Sequence, residues 1–297
     1  MHILTDPLRR LRAWLLAPVL TASARSGGPR PTAESQLLLA LQYRQLRHAR
    51  APLPGLRDVG FRVYSESDED GILHYIFSLI GTTNRVLVDI GASKLEGSNT
   101  ANLLINHAWT GLLIDGHPQR VKDLQDFYGA CPDTRNYPPK CVSSWVTAEN
   151  VNDVLRSAGI EGEIDLLTID IDGIDYWLWR AIDVVRPRVV VVEYQCILGP
   201  HRSVSVPYRP DFKATFDGPY ATYNSASLAA FVKLGRTKGY RLVGCQRYRY
   251  NGFFVRDDLG RPELPEVSAE ECFTHPFPQW AMATFLDRVK DREWVEV

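Results

Sequence analysis

A chain of 297 residues with 45% hydrophobic and 23% charged residues has the composition of a soluble globular protein, long enough for one large domain with an appendage. Its net charge of -1 gives no sign of a nucleic-acid partner, and no apolar run reaches the roughly 20 residues that a bilayer-spanning helix needs. Five widely spaced cysteines (Cys131, Cys141, Cys196, Cys245, Cys272), an odd number without a C-x-x-C pair, argue against a disulfide framework or a zinc site and for reduced, cytoplasmic thiols.

Charge divides the chain. Residues 1–62 hold ten arginines against three acids, Asp6, Glu34 and Asp58, whereas the rest holds 24 basic and 32 acidic residues. We read a basic helical appendage over 1–60, a catalytic domain over 61–256, and a C-terminal extension over 257–297 that packs on the domain. Arg9-Arg10-Leu11-Arg12, followed by Ala13–Ala22, has the outline of a short signal peptide, with Ala22-Ser23-Ala24 resembling a cleavage site. An amphipathic helix with Leu8, Leu11, Leu15, Leu16 and Val19 on one side, kinked by Pro18, accounts for the same residues and is the reading preferred here. Such a basic helix suits packing on the body, a homo-oligomer contact or a peripheral place on an anionic membrane surface.

Residues 25–31 read as a flexible joint, and Thr32 is placed to cap a second helix through about His48. Leu37, Leu38, Leu41 and Leu46 form the apolar stripe expected to face the body. Ala51-Pro52-Leu53-Pro54-Gly55 ends that helix.

From residue 60 short apolar runs alternate with helical stretches. Strands are expected at 86–88, 111–114, 164–169 and 188–192, with helices at 100–107, 118–128, 150–158, 177–182 and 227–239. Two final strands, 240–245 and 252–256, suit an antiparallel pair. Uninterrupted Val/Ile/Leu strands separated by helices imply a parallel sheet covered on both faces, hence a Rossmann-like α/β, doubly wound domain. His275-Pro276-Phe277-Pro278 is expected to break structure before a last helix at 282–290.

Four predicted strands end on an acid: Asp89, Asp115, Asp170 and Glu193. Ligands of open parallel sheets bind beyond those ends, so the four acids mark a site. Gly91 permits a tight turn, Asp89 suits a ligand ammonium, and Asp115, 24 residues beyond Gly91, suits two ribose hydroxyls. A dinucleotide would want G-x-G-x-x-G, but Ser93 and Glu96 stand where its second and third glycines would be, and Glu96 would repel a pyrophosphate. S-adenosylmethionine (SAM), with an ammonium and a sulfonium and no phosphate, fits acidic walls better.

Asp170 and Asp172 lie on one side of an extended segment and Glu193 on the neighbouring strand. They are candidates for catalysis as a general base, for direct contacts to ligand hydroxyls, or for holding Mg²⁺ or another divalent cation. His201, just past the strand ending at Glu193, is a further catalytic candidate, with His117 and His275 behind it.

On these residues the chain resembles the FkbM-like family of SAM-dependent methyltransferases. The matching stretches are Ser65–Leu73, Val88–Ser93 with Ser98-Asn99-Thr100, Gly111–Gly116, Ile164–Trp177 and Val191–Tyr194, spanning about residues 60–256. The resemblance implies Asp89, Gly91, Ala92, Ser93 and Asn99 around the methionine part of SAM, Asp115 and Gly116 at the ribose, and Val142 beside adenine. It also implies Asp170 near the methyl group and the Glu69-Asp70 segment close to the cofactor. Lys94-Leu95 and Ile174 depart from the family pattern, in positions that concern the substrate. The implied activity is O-methylation of a hydroxyl on a sugar, a glycan or a related natural product. The alternatives are an NAD-linked sugar oxidoreductase and a non-catalytic binding protein of the same fold.

Overall fold

The computed structural model describes residues 30–297 apart from 219 and 249; the expected first helix and most of the 25–31 joint lie outside them. The parallel sheet forms as the sequence suggests. Strands β1 (Val86–Ile90), β2 (Thr110–Asp115), β3 (Lys140–Ser143), β4 (Gly162–Ile169) and β5 (Val185–Glu193) all run the same way. The complete seven-stranded order is β3-β2-β1-β4-β5-β10-β9, with β9 at Tyr240–Cys245 and β10 at Asn251–Arg256. Strand β10 is antiparallel to both β5 and β9, so it alone opposes the other six. That inserted reversed strand distinguishes the sheet from the all-parallel dinucleotide-binding order.

Alternation of side chains along the strands feeds two cores. Val88, Ile90, Leu167, Ile169, Val190 and Val192 pack on one face with α5 (Val151–Ser157), α6 (Asp175–Ala181) and α7 (Leu228–Lys238). Leu87, Leu113, Leu166, Val189 and Val191 pack on the other with α1 (Ala33–His48), α2 (Glu69–Ile80), α3 (Ala101–Asn106) and α4 (Pro118–Ala130). Each such fully buried side chain contributes about 1.5–3 kcal/mol. Among the described residues no helix is long and apolar enough to cross a membrane, and all five cysteines are free thiols.

Two sequence expectations need correction. Thr32 does cap α1, accepting a hydrogen bond from the Ser35 amide at 3.3 Å, but the leucine stripe faces outward: Leu37, Leu38 and Leu41 are 59%, 68% and 51% exposed, and Leu46 is half-buried. The inward face is Gln36, Ala40 and Tyr43. Its choice is set by partners distant in sequence. Gln36 and Asn102 exchange amide hydrogen bonds at 2.9 and 3.3 Å, and the Tyr43 ring meets Tyr75 edge-on at 4.8 Å.

The second correction concerns His275-Pro276-Phe277-Pro278, which starts a helix, α8 (Pro276–Val289). Proline at the first helical position sacrifices no helical hydrogen bond, and His275 caps the end by accepting from the Phe277 amide at 3.0 Å. The segments outside 61–256 are built into the domain: Tyr43 belongs to one core, and Phe273 and Phe285 to the other.

Candidate functional site

Strand order reverses direction between β1 and β4, and a cleft of about 640 Å³ opens beyond their carboxyl ends. Pockets of this size hold cofactor-sized ligands. The β1 turn forms its floor. Gly91 has φ +101°, and its amide and that of Ala92 donate to the Ile114 carbonyl at 2.9 and 3.1 Å. A Cβ on Gly91 would lie 1.7 Å from the Asp170 carbonyl oxygen, so only glycine lets the β1 and β4 turns meet.

Asp89 is 5% exposed and held from both sides, with Thr100 donating to Oδ2 and Thr168 to Oδ1, each at 2.6 Å. Burial raises its pKa. The carboxylate keeps acceptor capacity for a ligand donor, in a fixed orientation. Ala92, Ser93 and Asn99 line the same cavity.

At the end of β2, Asp115 Oδ1 accepts from the His117 amide at 2.6 Å, and Oδ2 lies 3.6 Å from Arg120. Gly116 lines the cavity beneath the indole of Trp145, whose Nε1 donates to the Pro210 carbonyl at 2.6 Å. Val142 is not among the lining residues. It pairs with Ile114 inside the sheet, and the chain beyond β3 brings Ser144, Trp145 and Val146 to the cleft instead.

Glu69, 1% exposed, enters from the first turn of α2; it accepts from the Ser67 amide at 3.0 Å and from the Asn251 side chain at 3.3 Å. Burial raises its pKa. Neighbouring Asp70 is structural: its Oδ2 accepts from the amides of Val63, Tyr64 and Ser65 at 2.7–2.9 Å, folding the loop that delivers Glu66 to the cleft.

The β4 and β5 ends supply the acidic wall. Asp172 sits at φ +52°, a left-handed conformation that non-glycine residues rarely adopt and that is frequent at functional sites. The turn is pinned by buried Asp175, whose oxygens accept from the amides of Ile171 and Gly173, both at 2.9 Å. Asn224 reaches over from the loop after β8 (Tyr220–Tyr223), 3.3 Å from Asp172 Oδ1 and 3.5 Å from Glu193 Oε2. Burial first, and then repulsion from Asp172, pushes the Asp170 pKa well up. Burial first, and then repulsion from Asp170 and Asp172, does the same to Glu193. Among the described residues no three His, Cys, Asp or Glu side chains converge into a group that could hold a metal ion.

The remaining wall is aromatic and comes from late in the chain: Phe212, Phe216 on β7 (Thr215–Asp217), Tyr220, Tyr250, and Phe277 and Phe285 of α8. Of this wall, Tyr220 is one of six aromatics, with Tyr176, Trp177, Trp179, Tyr194 and Tyr208, that the sequence offers for stacking on a sugar ring; sequence reasoning did not single out the other rings, nor Glu66, Trp145 and Asn224. The dense aromatics between 273 and 285 were the available signal. Of the histidine candidates, His117 lines the cleft. His201 does not; it is 76% exposed on the surface, 3.2 Å from Glu270. Of those six aromatics, Tyr176 and Trp179 are buried in the core, and Tyr194, also buried there, borders the cleft.

A scan against protein-family models finds no match, and a search of curated proteins finds none at a significant level.

Proposed function

We propose that this chain is a SAM-dependent O-methyltransferase acting on a hydroxyl of a sugar, a glycan or a related natural product. The observation that supports this most is the convergence of Glu69, Asp89 and Asp115 on one cleft around the Gly91 turn. Two of these carboxylates are prepared to accept from an ammonium and the third from ribose hydroxyls, whereas a pyrophosphate would meet acids, Glu96 among them.

SAM, when bound, supplies an electrophilic methyl group on a sulfonium. The protein's own work is positional and acid–base. Glu69 and Asp89 hold the amino-acid end, and Asp115 holds the ribose beside Gly116 and Trp145. Asp170, made strongly basic by burial and by neighbouring Asp172, receives the proton of the acceptor hydroxyl at a carboxylate oxygen, with Glu193 beside it on β5. Asn224 orients Asp172 and Glu193 toward that oxygen. Fixing nucleophile and methyl group in line provides most of the acceleration.

Isothermal titration with SAM and with its demethylated product S-adenosylhomocysteine tests the reading directly. Micromolar binding of both, weakened about 10- to 100-fold in Asp115→Ala, is expected from the loss of hydrogen bonds to a charged acceptor. Binding of NAD in place of SAM defeats the proposal.

A further inference from the structure

Within that methyltransferase reading, we propose that the acceptor is cationic: an amine-bearing sugar or comparable ring that sets an ammonium group against Glu66, Asp172 and Glu193 and its apolar face against Tyr220, Tyr250 and Phe277.

The cleft is chemically divided. Its basic lining residues, Lys94, His117 and Arg120, belong to the turns after β1 and β2, and Arg120 is turned to Asp115. Among the described lining residues beyond Val146, contributed by β4, β5 and everything after them, there is no lysine, arginine or histidine. Glu66 faces the same space, close enough to Asp170, Asp172 and Tyr250 for their charges to be felt. A uronate or phosphate entering here would meet the carboxyl groups of Glu66, Asp170, Asp172 and Glu193 with no cation to offset them, which costs heavily in a partly desolvated site.

A second, independent feature asks for a donor. The Asn251 side chain is 6% exposed, lines the cleft and stands opposite Glu193 in the sheet. Its Nδ2 donates to Glu69, but its Oδ1, buried, has no hydrogen-bond partner. A buried acceptor left unpaired is costly, and a ligand N–H or O–H supplies what the protein does not.

The aromatic wall fits the same ligand. Tyr250 and Phe277 have ring centroids 5.3 Å apart, and Tyr220 and Phe285 5.4 Å. The negative faces of such rings attract ammonium groups and the C–H faces of sugar rings, and they have no comparable attraction for an anion. A purely neutral sugar would satisfy the rings and leave the acidic wall uncompensated; an amine satisfies both.

The test uses the full chain saturated with S-adenosylhomocysteine and titrates matched probes by calorimetry: glucosamine against glucose and glucuronate, and cyclohexylamine against cyclohexanol. At least one amine is expected to bind about tenfold more tightly than its neutral partner, with glucuronate the weakest. Glu66→Gln should reduce that ratio severalfold while leaving S-adenosylhomocysteine affinity as it was. The proposal is overturned if no amine exceeds its neutral counterpart, if glucuronate binds as well as glucosamine, or if Mg²⁺ abolishes the amine preference by taking its place. Failure of S-adenosylhomocysteine to bind sinks the methyltransferase reading instead, and the amine preference can still be read without it.

Discussion

Asp175 offers a quantitative check on the pinned β4 turn. Its carboxylate is fully buried, and burial outweighs the two amide hydrogen bonds, lifting the pKa from 3.8 to about 6. Between those values the folded state binds more protons than the unfolded state, so this group makes stability fall as pH rises. Its contribution is fully present below 3.8 and gone above about 6. A rise of this size corresponds to about 3 kcal/mol, a large part of a typical domain's 5–15 kcal/mol. Asp175→Asn removes the titration, while its single amide oxygen can still accept from only one of Ile171 and Gly173. Urea denaturation followed by circular dichroism from about pH 4 to pH 7 compares the two proteins. The wild type is expected to lose about 2 kcal/mol more than the variant over that range, the part of the full effect that falls above pH 4, because the other acids titrate in both. Parallel stability curves would refute the argument.

Four further outcomes follow. Gly91→Ala forces a Cβ onto the Asp170 carbonyl and is expected to lower Tm by about 10 °C and abolish S-adenosylhomocysteine binding; a Tm within about 2 °C of wild type contradicts it. Asp172→Gly releases the left-handed strain at φ +52°, so it should gain about 1 kcal/mol of stability in denaturant while losing most of the methyl-transfer activity; lower stability would count against functional strain. Asp165, at the opposite end of β4 from Asp170, is fully buried, pairs with Arg188 at 3.1 Å and accepts from the amides of Thr83, Asn84 and Arg85. Asp165→Ala should therefore cost about 3–5 kcal/mol in chemical denaturation yet leave the S-adenosylhomocysteine Kd of the folded protein unchanged. Leu37→Lys and Leu41→Lys, on the outer side of α1, should change stability by no more than about 0.5 kcal/mol; a larger loss would place those leucines in a packed interface.

What could be read from the sequence was what depends on neighbours along the chain. Strands buried on both faces show as unbroken runs such as Val189–Val192, and an acid following such a run, as at Asp89 or Asp170, marks the ligand edge. What could not be read depends on partners far away. Gln36 is buried because Asn102, 66 residues on, satisfies its amide, which no periodicity reveals. Val142, implied by the resemblance to lie beside adenine, is turned into the core by its sheet register, and Trp145, three residues on, lines the cleft instead. His201 fell after the Glu193 strand, as a substrate-loop residue should, yet the intervening turn Cys196–Leu198 carries the chain out to the surface. Local chemistry misled as well: a Pro-rich tetrapeptide that looks like a breaker is a helix start when its first proline falls at the first helical position.

The aromatic wall described above is assembled from residues 212–220, 250 and 277–285, whereas the carboxylates of Glu69, Asp89 and Asp115 come from residues 69–115. Two walls of the cleft are thus built from separate stretches of one chain that meet only in three dimensions. Substitutions late in the chain can therefore reshape the aromatic wall while the β1 and β2 turns keep their geometry; under the methyltransferase proposal that would change the acceptor without disturbing the donor site.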